Sequence, residues 1–303
     1  MPSGTENCLT AHPEMTSPGE PGLAGALFIL TKPGIVLAEV VAGLAGMLLA
    51  AAAPPAVTAI SMLLAIAMAA GGAAMLNGIL DSRADQRMPR LARRCRALEV
   101  VGSGRVVIIA LVLMGGGLLL AALTAPFQAL LLLAGGCLSY LWLYTAWLKR
   151  RSPWGVLAGC IPGALPPLIG AAAVSGTIAV PPLLLALFVF IWQLPHFWLL
   201  ALECRDQYGQ AGIPVLPLTH GEPFTRALTM AAALLLLPVT LAIGLIGVHS
   251  RVYLTVAGGS GIVFLIVCAR CLYRTNDYRR GFIASLVYLL TIIGAVCVES
   301  LLR

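Results

Sequence analysis

Charged residues are scarce in this sequence. Only 10% of its 303 residues are Asp, Glu, Lys or Arg, and the acidic residues number just 12. Soluble domains average about 25% charged residues and need a mostly polar surface. With 60% hydrophobic residues, this chain cannot cover itself in water. The composition excludes an ordinary soluble enzyme and predicts a protein whose solvent is the lipid bilayer.

Basic residues are missing from the N-terminal end of the chain. The first 25 residues contain no Lys or Arg, so they lack the basic segment that opens a signal peptide. We expect residues 1–25 to form a disordered cytoplasmic tail and residues 26–303 to form one intramembrane domain. The net charge of +7 comes from short basic runs between apolar stretches, which argues against a nucleic-acid partner.

Nine apolar stretches are long enough to cross the bilayer. A helix needs about 17 to 25 apolar residues to span about 30 Å of hydrocarbon, and its backbone groups are satisfied internally. The predicted fold class is therefore all-α, a polytopic membrane helical bundle of about nine transmembrane helices. The predicted spans cover residues 35–53, 56–76, 106–123, 127–147, 154–175, 177–202, 227–248, 252–272 and 281–301.

The basic residues fix the predicted orientation. Of the 19 Lys and Arg residues, 17 lie before the first span, in the even-numbered loops or at the cytoplasmic end of span eight. The positive-inside rule puts these loops and the N-terminus in the cytoplasm and the C-terminus outside. Two cytoplasmic loops, residues 77–105 and 203–226, are longer than a connection requires, so we expect the chemistry there.

An oxygen-rich stripe begins the first long loop. Asn77, Asp81 and Asp85 stand four residues apart, so on a continuing helix they form one stripe about 12 Å long. Carboxylate and amide oxygens suit Mg²⁺, whose shell substrate phosphates often complete. Nearby arginines, including Arg90 and Arg94, could neutralise such phosphates. An equally open interpretation is that the two carboxylates are solvated and paired with those arginines.

Three polar side chains interrupt predicted spans. Gln193 and His196 lie on one face of span six, and Glu39 lies deep in span one. Polar residues inside a membrane are costly, which makes them candidates for a buried site. His196 could bind a metal or an iron porphyrin, accept a proton, or simply hydrogen-bond a neighbouring helix. The sequence does not supply a partner for Glu39.

Several motifs resemble a known family. They are Thr31–Pro33, Tyr144–Pro153, Gly163–Gly170, Trp192–Trp198 and Ala211–Pro217. Together with the Asn77 stripe, they resemble the UbiA superfamily of intramembrane prenyltransferases, and within it the branch that farnesylates heme. The resemblance covers roughly residues 30 to 300.

The resemblance implies an activity and a set of site residues. The activity is transfer of a farnesyl group from farnesyl diphosphate to the 2-vinyl group of heme b, which gives heme O and pyrophosphate, in a bacterial inner membrane. One Mg²⁺ would be held by the Asn77 stripe and a second by Asp206 with Glu203. The implied substrate-binding residues are Lys32, Arg90, Arg94, Lys149, Gln193, His196 and Tyr208.

The partners and the alternatives follow from the same resemblance. The implied partners are farnesyl diphosphate, heme b, the lipid bilayer and heme A synthase. The sequence departs from the family pattern at Ser82, Arg83 and Gln207. A prenyltransferase for another acceptor, such as a quinone precursor, and a heme-binding assembly factor without turnover therefore stay open. A transporter is disfavoured, because the polar residues crowd the cytoplasmic ends and not the bilayer midplane.

Overall fold

The computed structural model describes residues 21–302, and every regular element in that range is a helix. Residues 1–20 of the predicted tail lie outside the described range, whereas residues 23–25 already belong to the first helix. The α-helices are α1 Leu23–Leu30, α2 Pro33–Ala50, α3 Ala56–Asp85, α4 Ala92–Val101, α5 Ser103–Thr124, α6 Phe127–Leu138, α7 Gly155–Ala164, α8 Pro166–Ser175, α9 Val180–Glu203, α10 Arg205–Gln210, α11 Leu216–Thr219, α12 Glu222–Ala242, α13 Arg251–Arg270 and α14 Tyr278–Leu301.

Nine helical segments within residues 21–302 are long and apolar enough to cross a membrane, which confirms the predicted architecture. They are Pro33–Ala50, Ala56–Asp85, Ser103–Thr124, Phe127–Arg150, Gly155–Ser175, Val180–Glu203, Glu222–Val248, Arg251–Thr275 and Tyr278–Leu301. The protein is an integral, multi-pass membrane protein.

Two predicted spans have ends that differ from the structure by five residues or more. Span two was expected to end at residue 76, but α3 continues to Asp85, so the first long loop shrinks to residues 86–102 and itself contains α4. Span seven begins at Glu222 instead of residue 227, with a proline in its first turn. A span predicted from hydropathy ends at the first polar residue. The helix itself continues where polar side chains find hydrogen-bond partners inside the bundle.

Span five is interrupted by prolines. It consists of α7 and α8, which meet at Leu165, because Pro166 and Pro167 provide no backbone N–H to continue the helix. Glycines bring α8 against α2: a Cβ on Gly46 would overlap the carbonyl oxygen of Pro167, and one on Gly170 would overlap that of Gly43. Small residues allow this close approach of two membrane helices. The contact holds α2 in place, and α2 begins directly after Lys32.

A stretch of π-helix, Ser139–Trp147, ends the fourth span. Its wider turn differs from an α-helix in the faces that its side chains occupy. Here it buries Thr145, whose hydroxyl donates to the carbonyl oxygen of Tyr140 at 2.8 Å. The segment thus presents polar groups to α3 near the end of an otherwise apolar span.

Candidate active site

The oxygen-rich stripe lies on one continuous helix. Asn77, Asp81 and Asp85 occupy the last three turns of α3 and are only 3%, 1% and 4% exposed. The helix therefore continues through all three residues, as the prediction of a single stripe required. These side chains are buried between helices, which argues against fully solvated loop carboxylates.

The amide of Asn77 connects three spans. Its Nδ2 donates to Asp81 Oδ2 at 2.9 Å and to Thr145 Oγ1 at 3.0 Å. Its Oδ1 accepts a hydrogen bond from the Lys32 ammonium group, which also donates to the Tyr140 hydroxyl at 3.3 Å. Because every polar atom of the amide is engaged, the orientation of Asn77 is fixed by its neighbours.

Basic side chains occupy both carboxylates of the stripe. Lys149 donates to Asp81 Oδ2, and Arg94 donates to Asp85. Arg150 NH2 lies 3.5 Å from Asp81 Oδ1 but donates to the Leu80 carbonyl oxygen at 2.6 Å, and Asp81 Oδ1 accepts no hydrogen bond from the described residues. One buried carboxylate oxygen thus has unused coordinating capacity.

Lys32 is held in a strained turn between α1 and α2. Its φ of 53° lies in the left-handed region, which costs a residue with a Cβ about 1–2 kcal/mol. The turn directs the ammonium group at the stripe. Burial, followed by the positive charges of Arg94 and Lys149, lowers the pKa of Lys32 to about 7. The site therefore concentrates positive charge more strongly than its two carboxylates offset.

Arg90 and Tyr208 form a second polar contact beside the stripe. Arg90 NH2 donates to the Tyr208 hydroxyl at 3.0 Å, and its guanidinium carbon lies 5.2 Å from the centre of the tyrosine ring. Burial raises the pKa of Tyr208, and the charge of Arg90 partly opposes that rise. This pair links the segment after α3 to α10, so it joins the two long loops that the sequence singled out.

These groups surround a small polar cavity of about 180 Å³. Its polar lining consists of Lys32, Asn77, Asp85, Arg90, Arg94, Tyr140, Tyr144, Lys149, Ser152 and Tyr208. Guanidinium and ammonium groups that converge on one space are the arrangement that binds phosphate oxygens. The cavity can therefore accept a small polyanion.

A larger cavity of about 710 Å³ lies next to the polar one and shares Lys32 and Tyr140 with it. Its lining is mostly apolar, and its volume lies within the range of about 300–1,000 Å³ that is usual for ligand pockets. Glu39, Gln193 and His196 are polar members of this lining. All three polar residues predicted inside the spans therefore line one cavity.

Gln193 braces the wall of the large cavity. Its Nε2 donates to the carbonyl oxygen of Cys160 at 3.0 Å and to that of Val189 at 3.2 Å. Gly163 leaves room for this side chain, since a Cβ there would overlap the Gln193 amide. The contact ties α9 to α7 at the level of the cavity.

The acidic residues of the second loop lie elsewhere. Asp206 is exposed on α10, Glu203 is partly buried at the end of α9, and neither lines the two cavities. Within residues 21–302, no cluster of three or more His, Cys, Asp or Glu side chains is arranged to hold a metal ion. The candidate metal ligands are thus two carboxylates and the amide of Asn77.

Several site residues were missed in the sequence. Tyr140, Tyr144, Thr145 and Arg150 all come from the fourth span and its end. Lys149 was the only residue of this segment that was given a role in the site, although the motif Tyr144–Pro153 contains Tyr144, Thr145 and Arg150. That motif was therefore a signal that could have found these three residues.

Comparisons with known proteins agree with this geometry. Residues 40–296 match the UbiA prenyltransferase family. The chain is 44% identical over 237 residues to a protoheme IX farnesyltransferase of Geotalea uraniireducens, an alignment that covers 78% of this chain and 92% of the relative. It is 38% identical over 281 residues to protoheme IX farnesyltransferase 1 of Pseudomonas paraeruginosa, covering 90% of this chain and 92% of the relative.

Solved structures share the fold. A structure of digeranylgeranylglyceryl phosphate synthase matches 93% of this chain and 99% of its own, with a TM-score of 0.74 and 16% identity. A UbiA homolog from Archaeoglobus fulgidus bound to DMAPP and Mg²⁺ matches 90% of this chain and 99% of its own, with a TM-score of 0.68 and 13% identity. By the family match and the identity to its relatives, this chain belongs to the UbiA prenyltransferase family.

Proposed function

We propose that this protein transfers a farnesyl group from farnesyl diphosphate to the 2-vinyl group of heme b. The observation that carries the proposal is the pairing of two cavities that share Lys32 and Tyr140. One is small, cationic and next to buried carboxylates, and the other is large and apolar. The first fits a diphosphate, and the second fits a prenyl chain and a flat porphyrin. The relatives named protoheme IX farnesyltransferase support this choice of donor and acceptor.

The residues of the stripe fit a divalent metal. Asn77 and Asp85 line the polar cavity, and the free Oδ1 of Asp81 is an unused carboxylate oxygen. These three side chains would hold Mg²⁺, which supplies positive charge to the diphosphate as it leaves. The fulgidus homolog bound to DMAPP and Mg²⁺ supports the same pairing of metal and diphosphate. Glu203 and Asp206 line neither cavity, so we do not propose a metal site at these two residues.

The basic residues have a defined task in this reaction. The C–O bond between the farnesyl group and the diphosphate breaks, and negative charge grows on the leaving oxygen. Arg90, Arg94, Lys149 and Lys32 line the polar cavity and would bind these oxygens. For Lys149 and Arg94 this means exchanging a carboxylate partner for a phosphate partner. Asp81 and Asp85 would then be free to hold the metal.

The apolar cavity controls the fate of the farnesyl cation. C1 of the farnesyl cation bonds to the terminal carbon of the heme vinyl group. The oxygen of a water molecule adds to the inner vinyl carbon, and that water gives up a proton. The product therefore carries a farnesyl chain and a hydroxyl group. The large cavity is lined mostly by apolar side chains, so it holds the cation away from bulk water until the vinyl group has reacted.

The proposed setting is the bacterial inner membrane. The distribution of Lys and Arg supports a cytoplasmic N-terminus and cytoplasmic active-site loops, with the C-terminus outside. Farnesyl diphosphate would then reach the polar cavity from the cytoplasm. Heme O would remain in the bilayer for the next enzyme, for which heme A synthase is the proposed partner.

A product assay in membranes tests this function. Membranes that contain the protein are incubated with heme b, farnesyl diphosphate and Mg²⁺, and heme O is identified by its mass. We expect product from the wild type, and loss of product with EDTA or with Asp81→Asn, because both remove the metal site. Glu99→Gln is the matched control, since Glu99 is an exposed carboxylate on neighbouring α4 that lines neither cavity.

Two outcomes would contradict the proposal. If folded wild-type protein yields no heme O in the presence of Mg²⁺, heme b is not the acceptor. If product formation is undiminished both in EDTA and in Asp81→Asn, the stripe is not the metal site. In the first case, quinone precursors are the next acceptors to supply.

A further inference from the structure

His196 lies between two aromatic rings in the wall of the large cavity. Its ring centre is 4.6 Å from that of Trp192 and 4.2 Å from that of Phe282, with interplanar angles of 22° and 26°. Stacking on both faces fixes the plane of the imidazole ring. Only the edge of the ring, which carries its two nitrogens, remains for polar contacts.

A hydrogen-bond chain determines the tautomer of His196. The Ser285 hydroxyl donates its single hydrogen to the Phe282 carbonyl oxygen at 2.6 Å. Ser285 Oγ also lies 2.8 Å from His196 Nδ1. Since the serine hydrogen is already used, Oγ must accept this second bond, and Nδ1 must carry the proton. In a neutral imidazole the other nitrogen, Nε2, then has a free lone pair.

Nε2 has no hydrogen-bond partner among residues 21–302, while the ring lines the large cavity. A histidine whose Nδ1–H is held by a neighbour and whose Nε2 is free has the arrangement of a metal ligand. A proton on Nε2 would need an acceptor, and no described residue accepts a hydrogen bond from this nitrogen. The site is thus prepared to donate an electron pair to a group that enters the cavity.

We propose that His196 binds the iron of the heme acceptor through Nε2 and that Ser285 positions the imidazole ring for this bond. The inference rests on the proposed function, which places heme in this cavity. The bond forms when the Nε2 lone pair is donated to the iron, so no proton leaves and no electron is transferred. That lone pair lies in the plane of the ring, whereas Trp192 and Phe282 cover its two faces.

Heme titration of the purified full-length protein in detergent tests the proposal. Ferrous heme b is added, and the optical spectrum reports its axial ligand, while quenching of tryptophan fluorescence reports binding. We expect the wild type to show a nitrogen-ligated spectrum, His196→Ala to lose it, and added imidazole to restore it. His220→Ala is the matched control, because His220 is exposed and lines neither cavity.

Ser285→Ala tests the positioning role separately. Loss of such a supporting hydrogen bond weakens a metal–histidine site by about 10–100-fold, so we expect the Kd for heme to rise by that factor. Ser300→Ala is the control, since Ser300 is another buried serine on α14 and its hydroxyl has no hydrogen-bond partner within the described residues. A purely structural role of Ser285 would leave the heme spectrum and its Kd unchanged.

The possible failures are distinguishable. If His196→Ala binds heme with the wild-type spectrum, or if Ser285→Ala binds it with the wild-type Kd, the inference is overturned while heme O formation by the wild type keeps the proposed function. If the wild type neither binds heme nor makes heme O, both are overturned. His196→Gln repeats the test with a polar side chain if the alanine variant unfolds.

Discussion

Lys149→Gln should destabilise the protein in a way that Mg²⁺ repairs. Asp81 is 1% exposed, and this change removes the ammonium group that pairs with it. Removing one partner of a buried ion pair costs about 3–5 kcal/mol. Arg150 stays 3.5 Å from Asp81 Oδ1, so we take the lower value, about 3 kcal/mol. At about 2 °C per kcal/mol for a long chain, the melting temperature in EDTA should fall by about 6 °C.

Mg²⁺ should return part of this loss. A metal that binds only the folded state stabilises it by about 1.4 kcal/mol at ten times its Kd, which is about half of the loss or roughly 3 °C. The wild type should gain less at the same Mg²⁺ concentration, because there Lys149 competes with the metal for Asp81. The rise in melting temperature between EDTA and Mg²⁺ should therefore be larger for Lys149→Gln than for the wild type.

Thermal unfolding in detergent, followed by tryptophan fluorescence in EDTA and in Mg²⁺, measures this difference. Arg151→Gln is the control, because Arg151 is an exposed neighbour with no side-chain hydrogen bond or ion pair among the described residues, and it should melt like the wild type. Equal Mg²⁺ stabilisation of the wild type and Lys149→Gln would refute Asp81 as a metal ligand. An unchanged melting temperature in EDTA would refute the strength assigned to the ion pair.

Three further substitutions test the packing and the polar contacts. Gly46→Ala should leave little folded protein in size-exclusion chromatography, because the added Cβ overlaps the backbone of Pro167, which cannot move aside. Gly163→Ala should fold but melt about 2–6 °C lower, since Gln193 can turn away only by giving up hydrogen bonds worth about 1–3 kcal/mol. Tyr208→Phe removes one hydrogen bond to an arginine and should cost about 1.5–3 kcal/mol in thermal unfolding, with a higher KM for farnesyl diphosphate.

The sequence predicted the spans well because hydrocarbon imposes a simple requirement of length and apolarity. It predicted their ends poorly where polar residues continue a helix. Asn77 reads as the start of a loop by hydropathy, yet it lies in the interior of α3, because Lys32 and Thr145 supply the hydrogen bonds that lipid cannot. Those partners are 45 and 68 residues away, so no local pattern contains them.

The structure contains the pairing with cations that the second interpretation of the acidic stripe expected, but not the solvation of the carboxylates. Helical spacing predicted one buried face, and the structure has it, but the carboxylates are also paired with cations. Asp85 takes Arg94 from the neighbouring loop, as a local pairing would predict. Asp81 takes Lys149 from a different span, which spacing could not predict. By contrast, Asp206 was assigned to a second metal from the family resemblance, and in the structure it is exposed on α10.

Charge balance explains why this site suits a substrate that arrives with its own negative charge. The polar cavity is lined by four basic side chains, Lys32, Arg90, Arg94 and Lys149, beside two buried carboxylates, so positive charge is in excess there. The pKa of Lys32 is lowered mainly by burial, and the charges of Arg94 and Lys149 add to that lowering. A bound diphosphate would neutralise this excess positive charge. By pairing with the basic side chains, it would also free the carboxylates that a metal needs. Phosphate binding and metal binding should therefore reinforce one another, whereas either one alone must work against the ion pairs between the carboxylates and the basic side chains.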